Sequence, residues 1–168
     1  MKLKNIIIIL ILFLLTACDK PKTDNNPLEQ EKQPESAKSA ISENICSYFS
    51  QDFVANAIGK PITKIESQSG GGSYNCQYYV DDNHFVSLTL NYLSVESQKK
   101  GAQALDRKID TSEMIKIEHF LTIQDDGNTN AIYLVLGPNQ FIRVDRSSGK
   151  AIDNQTLLNL AVAVSKKL

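Results

Sequence analysis

Three cysteines and two histidines have the broadest chemical repertoire in this chain. A thiolate can attack, ligate a metal, pair as a disulfide or carry an acyl group. Cys18 closes an unbroken apolar run. Cys46 and Cys76 lie 30 residues apart, which is not a Cys-x-x-Cys spacing, and two histidines are too few to complete a metal centre around them. His84 sits in an acidic turn, Asp81-Asp82-Asn83-His84, without the further acidic ligands and closing glutamate of a calcium loop. Glu118 and His119 are adjacent, so on a strand they point to opposite faces and cannot act as a dyad. The run Gly70-Gly71-Gly72 invites comparison with a phosphate cradle. Such a cradle needs a helix after it, whereas Tyr74–Val80 is rich in aromatic residues and reads as a strand, which makes the glycines a hairpin loop. No Gly-x-Ser-x-Gly elbow or Ser-x-x-Lys motif stands in a suitable context. The sequence therefore offers no catalytic residue, metal ligand or cofactor site. Tyr74, Tyr78, Tyr79, Tyr92 and Tyr133 are left as a candidate aromatic binding surface, which core packing and cross-strand pairing explain equally well.

The elements around Cys18 give that cysteine a role. Lys2 and Lys4 precede ten apolar residues, 6–15, half of what a spanning helix requires. The pattern is that of a signal peptide over residues 1–17. Leu15-Thr16-Ala17-Cys18 resembles the lipobox of bacterial lipoproteins. The resemblance implies cleavage before Cys18, acylation of Cys18, and membrane lipid as its first partner. It also implies a location in the cell envelope, facing the periplasm. Asp19 resembles the retention signal of inner-membrane lipoproteins; the outer membrane stays open. From Asp19 to about Ser39 the chain holds three of the five prolines, mixed charges and one large apolar residue, Leu28. It cannot bury enough apolar surface to offset ordering entropy. Residues 18–40 therefore read as a disordered tether with a reach of roughly 25 Å.

Residues 41–168 read as one globular domain. Composition is ordinary for such a domain, with 42% hydrophobic and 22% charged residues, and the net charge of −1 gives no basis for nucleic-acid binding. Ser50 caps a helix over residues 51–58, which Gly59 and Pro61 end. Residues 62–67 and 74–80 read as strands. Residues 85–93 are the clearest strand, with Val86, Leu88, Leu90 and Tyr92 alternating with Ser87, Thr89 and Asn91. Ser94 opens a helix that the pattern carries to about Lys108. Residues 114–124, 131–136 and 140–145 read as three more strands, with turns at 125–128 and 137–139. Asp153 caps a last helix to Leu168. The order αβββαβββα excludes one-by-one alternation, so the expected fold is α+β, a mostly antiparallel sheet flanked by helices.

With Cys18 acylated, Cys46 and Cys76 remain as an even pair in an oxidising compartment, and a disulfide between them is expected. Cys46 before an apolar stretch, the helix end Ala57-Ile58-Gly59 and the strand-borne Cys76-Gln77-Tyr78 together resemble a family of small envelope lipoproteins of unknown function, common in actinobacteria. That family's Cys-x-Trp is here Cys-x-Tyr, and Tyr48-Phe49 stand for its two leucines. The resemblance implies a PsbP-like α/β/α sandwich and brings no catalytic residues. The expected function is that of a non-catalytic, membrane-anchored lipoprotein that binds a small ligand or an envelope protein. An immunity or inhibitor lipoprotein against a periplasmic toxin is the alternative, and an envelope hydrolase stands behind both.

Overall fold

A computed structural model of the chain describes residue 41, residues 44–149 and residues 151–168. The signal-peptide run, Cys18 and the tether lie outside the described residues.

Four helices and seven strands follow one another: α1 (Ile45–Tyr48), α2 (Gln51–Ile58), β1 (Lys64–Gly70), β2 (Ser73–Tyr79), β3 (Phe85–Asn91), α3 (Val95–Ala104), β4 (Lys108–Asp110), β5 (His119–Ile123), β6 (Thr129–Gly137), β7 (Gln140–Arg146) and α4 (Asn154–Lys167). The strands form one sheet in the order β1-β2-β3-β7-β6-β5-β4, antiparallel at every pairing. Two meanders meet at the β3–β7 pair. The fold is thus α+β and mostly sheet, as the sequence pattern predicts.

Local chemistry explains most boundaries. The side chains of Ser50, Ser94 and Asp153 each accept from the backbone amide three residues on, at the starts of α2, α3 and α4. Gly59 ends α2 at φ +67°, a left-handed position that glycine adopts without steric cost. Gly71 and Gly72, both at positive φ, form the two-residue turn between β1 and β2, where Gly70 pairs with Ser73. Positive φ at both central residues matches the twist of the strands they join. The glycine run is therefore a hairpin turn.

Period-2 alternation splits the sheet into two unlike faces. One face carries Cys76 and Tyr78 of β2, Val86, Leu88 and Leu90 of β3, Ile132 and Leu134 of β6, and Ile142 and Val144 of β7. These pack with Phe49, Val54 and Leu157, Leu160, Ala161 and Val164 of α4 into the main core. The Cys46–Cys76 disulfide joins α1 to β2 beside that core, with the Cα atoms 5.4 Å apart. The Lys167 ammonium lies 4.7 Å from the Phe53 ring centre and 5.0 Å from that of Tyr48, and the Tyr48 hydroxyl donates to the Lys167 carbonyl at 3.0 Å. These contacts tie the end of α4 to α1 and α2. On the opposite face Val95 of α3 packs with Phe120, Ala131, Tyr133 and Phe141 in a second, smaller core.

The first strand runs over Lys64–Gly70 where 62–67 was expected, the third ends at Asn91 and not at residue 93, and two further boundaries differ more from the sequence pattern. The helix from Ser94 stops at Ala104, not Lys108. Asp106 turns the chain at φ +54°, and Lys108–Asp110 pairs with β5 as an edge strand, which makes seven strands where six were expected. Leu105 and Ile109 have helical spacing, but Leu105 is 65% exposed, so no apolar stripe holds the helix together there. The strand expected over residues 114–124 is paired only from His119. Ile115 is buried in the main core from an irregular segment ahead of it. Alternating apolar residues can plug a core without forming a ladder.

Candidate functional site

The five tyrosines do not share a surface. Tyr78 is fully buried in the main core, where its hydroxyl donates to the Phe49 carbonyl at 2.5 Å, and burial pushes its ionisation well above the ordinary range. Tyr133 is buried on the opposite face, stacked on Phe120 at 4.3 Å. Tyr79 also belongs to that face, with its hydroxyl on Glu66 at 2.8 Å. Only Tyr74 and Tyr92 meet, edge to face at 6.5 Å. Alternation along β2 separates Tyr78 from Tyr79, and Tyr92 follows the end of β3. The histidines are likewise apart. The His84 ring bonds the Asp81 carboxylate at 2.9 Å. His119 Nε2 accepts from the Ser112 amide at 2.9 Å while Nδ1 meets the Ile117 carbonyl at 2.8 Å, so both nitrogens are used within the fold. No group of three or more His, Cys, Asp or Glu able to hold a metal is found among the described residues, and no described helix is long and apolar enough to cross a membrane.

A cleft of about 820 Å³ opens at the start of α4. The β5–β6 turn supplies Gln124, Asp126 and Asn128, and the start of β6 supplies Thr129 and Asn130. The end of β7 supplies Arg146, the loop after it Ser147, Ser148 and Gly149, and the approach to α4 Ile152 through Gln155. Arg146 organises these segments. Its guanidinium donates to the Ile152 carbonyl at 2.5 Å and the Asn154 amide oxygen at 2.8 Å. The same Asn154 oxygen accepts from the Thr129 amide at 3.1 Å. Arg146 thus pins the β6 start and the α4 start to one point. Hydrogen bonds from the Asn128 backbone hold Asp126 below the usual carboxylate range, and those from Thr156 do the same for Asp153. Both are ionised near neutral pH.

One wall of the cleft rests on His84. Gly149 has φ +123°, and a Cβ built there would lie 2.8 Å from His84 Nε2. Gly149→Ala is expected to cost about 1–3 kcal/mol, since it combines a conformation L residues rarely adopt with a steric conflict. The denaturation midpoint and the His84 ring resonances report it; unchanged values for both would show that the loop yields freely.

A second polar feature crosses the open part of the sheet. On the face that α3 covers only in part, Asn75 of β2, Thr89 of β3 and Arg143 of β7 stand in one cross-strand row, and Ser87 and Asp145 in the next. Asn75 donates to Thr89 at 2.7 Å, Ser87 donates to Asp145, and Arg143 pairs with Asp145 at 2.8 Å. Ser87 is buried, and Asn75 Oδ1 and Arg143 Nε are buried without a partner among the described residues. Burial pushes the Asp145 carboxyl above its ordinary range, outweighing the Arg143 charge and the Ser87 bond. The sign of the consequence follows from linkage. Below the unfolded carboxylate's range of about 4 both states are protonated and no penalty exists. As pH rises through the raised folded value, the folded state alone must hold a poorly solvated charge, and stability falls. Asp145→Asn should therefore be more stable than the parent near neutral pH, with the difference vanishing in acid. Paired urea titrations across that range check it, and a variant less stable at neutral pH would refute it.

Sequence reasoning missed the cleft. Its residues come from separated segments, each of which reads only as a turn or a cap. Comparison with known proteins does not bear on it either: no family model, curated protein or solved structure matches the chain.

Proposed function

We propose that this chain is a lipid-anchored, non-catalytic binding protein of the bacterial envelope, with the cleft at the start of α4 as its binding site. The observation that carries the proposal is the chemistry of the cleft. Amides, hydroxyls and carboxylates converge there on a volume typical of small-molecule sites. Such a lining is suited to binding and orienting a ligand through hydrogen bonds. Anchoring rests on the lipobox at Leu15–Cys18, with membrane lipid as partner through acylated Cys18. The inner-membrane reading rests on Asp19 alone.

The arrangement of helices on both sides of the sheet supports the PsbP-like α/β/α reading that the Cys46 and Cys76 motifs suggested, and with it the kinship to small envelope lipoproteins. The uncovered polar face of β1–β3 and β7 favours a second reading, in which a protein, such as a toxin to be neutralised, docks on the sheet.

Site-specific photo-crosslinking in cells separates the two. A photoreactive residue at Gln155, on the rim of the cleft, is expected to capture an occupant that the same residue at Leu105 does not. If Gln155 captures nothing above that control, the cleft is not the binding site. If capture from Gln77 on the open face dominates and yields a protein, the second reading replaces the first.

A further inference from the structure

We infer that the cleft at the start of α4 takes a neutral, polyhydroxylated ligand, a short glycan, in preference to an anion, a polyamine or an apolar molecule. The inference rests on the cleft being the binding site and adds the class of ligand.

The unspent polar groups carry it. Among the described residues the Asn154 side-chain nitrogen and the Thr129 and Ser148 hydroxyls have no hydrogen-bond partner, and all three groups can donate. Gln155 uses its amide nitrogen on Asn159, which leaves its oxygen to accept. The Asp153 carboxylate accepts from the Thr156 backbone amide and side chain at the start of α4, and its two oxygens have lone pairs left for further bonds. Donors and acceptors are therefore interleaved around the recess. A hydroxyl group both donates and accepts, and vicinal hydroxyls present the two roles side by side, so a polyol meets such a lining without leaving groups unpaired.

The same groups disfavour the competitors. A phosphate or carboxylate can only accept. It would face the ionised Asp126 and Asp153, and the Arg146 guanidinium is already bonded to Ile152 and Asn154. The N-terminus of α4 offers little to an anion because Asp153 occupies its cap. A polyamine can only donate and would approach Arg146 between the two carboxylates. An apolar ligand would find Ile152 as its main carbon surface, and Ile152 is 2% exposed. The recess of about 820 Å³ has room for several linked sugar rings.

The test is a titration of the full lipidated protein in sugar-free detergent micelles, followed through its side-chain amide resonances. The probes are chitotriose, maltotriose, inorganic phosphate and spermidine. A saturable shift of the Asn154 and Asn130 amides with at least one trisaccharide, and none with phosphate or spermidine, is expected. Preference for chitotriose would place the ligand in an N-acetylated wall-type glycan, and preference for maltotriose in a plain glucan. Gln155→Trp, which fills the recess from an exposed helix position, should weaken sugar binding by at least about tenfold with an unchanged melting curve. Ser148→Trp serves the same end if Gln155→Trp does not fold. Saturable binding of phosphate or spermidine in place of sugar, no binding of either trisaccharide, or sugar binding that survives the filled cleft would each overturn the inference. Capture from Gln155 in cells alongside a failed sugar titration would leave the cleft as the binding site and remove only the glycan.

Discussion

Cys18→Ala is expected to abolish lipid modification and release the protein from firm membrane association. Each buried methylene contributes roughly 0.8 kcal/mol to anchoring. A single acyl chain holds a protein only marginally, whereas two or more make desorption negligible. The acyl chains implied by the lipobox would thus supply nearly all the membrane affinity. The remaining sequence offers little replacement: the chain's net charge is −1, so no polybasic surface attracts anionic lipid. The ten apolar residues 6–15, if left uncleaved, are too few to span a bilayer stably. The check is metabolic labelling with a clickable fatty acid, combined with alkaline extraction of membranes. The parent should carry label and stay in the pellet; the variant should carry none and be extracted. An unlabelled variant that resists extraction would mean that residues 6–15 anchor the protein themselves, and the lipobox would lose its role.

How far the sequence discloses the molecule depends on the range over which each signal acts. Signals decided within a few residues were legible. Ser50, Ser94 and Asp153 cap helices, Gly59 ends one, and Gly71-Gly72 turn a hairpin, because each acts on its own neighbours. The alternation of β3 also held, since its core face is uniformly aliphatic. The same alternation misled on polarity. Ser87 reads as solvent-facing, yet it is 3% exposed beneath the Asn75, Thr89 and Asp145 side chains of its own face. The edge strand β4 was not legible because three residues carry no periodicity and Ile109 continues a helical spacing. The tyrosines failed as a site because residue type says nothing about which face a strand gives it. The cleft was out of reach for a stronger reason. Arg146, Asn154 and Asp126 come together only when β7, α4 and the β5–β6 turn are docked, and none of those segments is unusual alone.

The second large effect concerns the Cys46–Cys76 bond. The even pair of cysteines left beside Cys18 predicts this bond, and the fold shows what it connects. α1 is a single turn of helix that buries Ile45, and Ile41 ahead of it is buried in the same core. Cys76 lies fully buried on β2, paired on one side with Ser67 and on the other with Leu88, so the bond ties α1 to the interior of the sheet. The other attachments of this region are the Phe49 ring in the core, the Tyr78 hydroxyl on the Phe49 carbonyl, and the Lys167 contacts with Tyr48. They hold the end of α1, whereas the disulfide and the buried Ile41 and Ile45 hold its beginning. Opening a loop of 30 residues should cost about 3–4 kcal/mol in the chain-entropy model, and truncating a buried sulfur adds a small cavity term. For a domain of this size the melting temperature of Cys46→Ala/Cys76→Ala should fall by roughly 10–15 °C. Amide exchange should rise first at residues 45–49 and only later in β3 and β7, because α1 loses its tie while the β3–β7 centre keeps its core. An unchanged melt would show that the core contacts of Ile41, Ile45 and Phe49, with Lys167, hold α1 without the bond. A uniform rise in exchange across the sheet would show that the bond stabilises the whole domain and not α1 in particular.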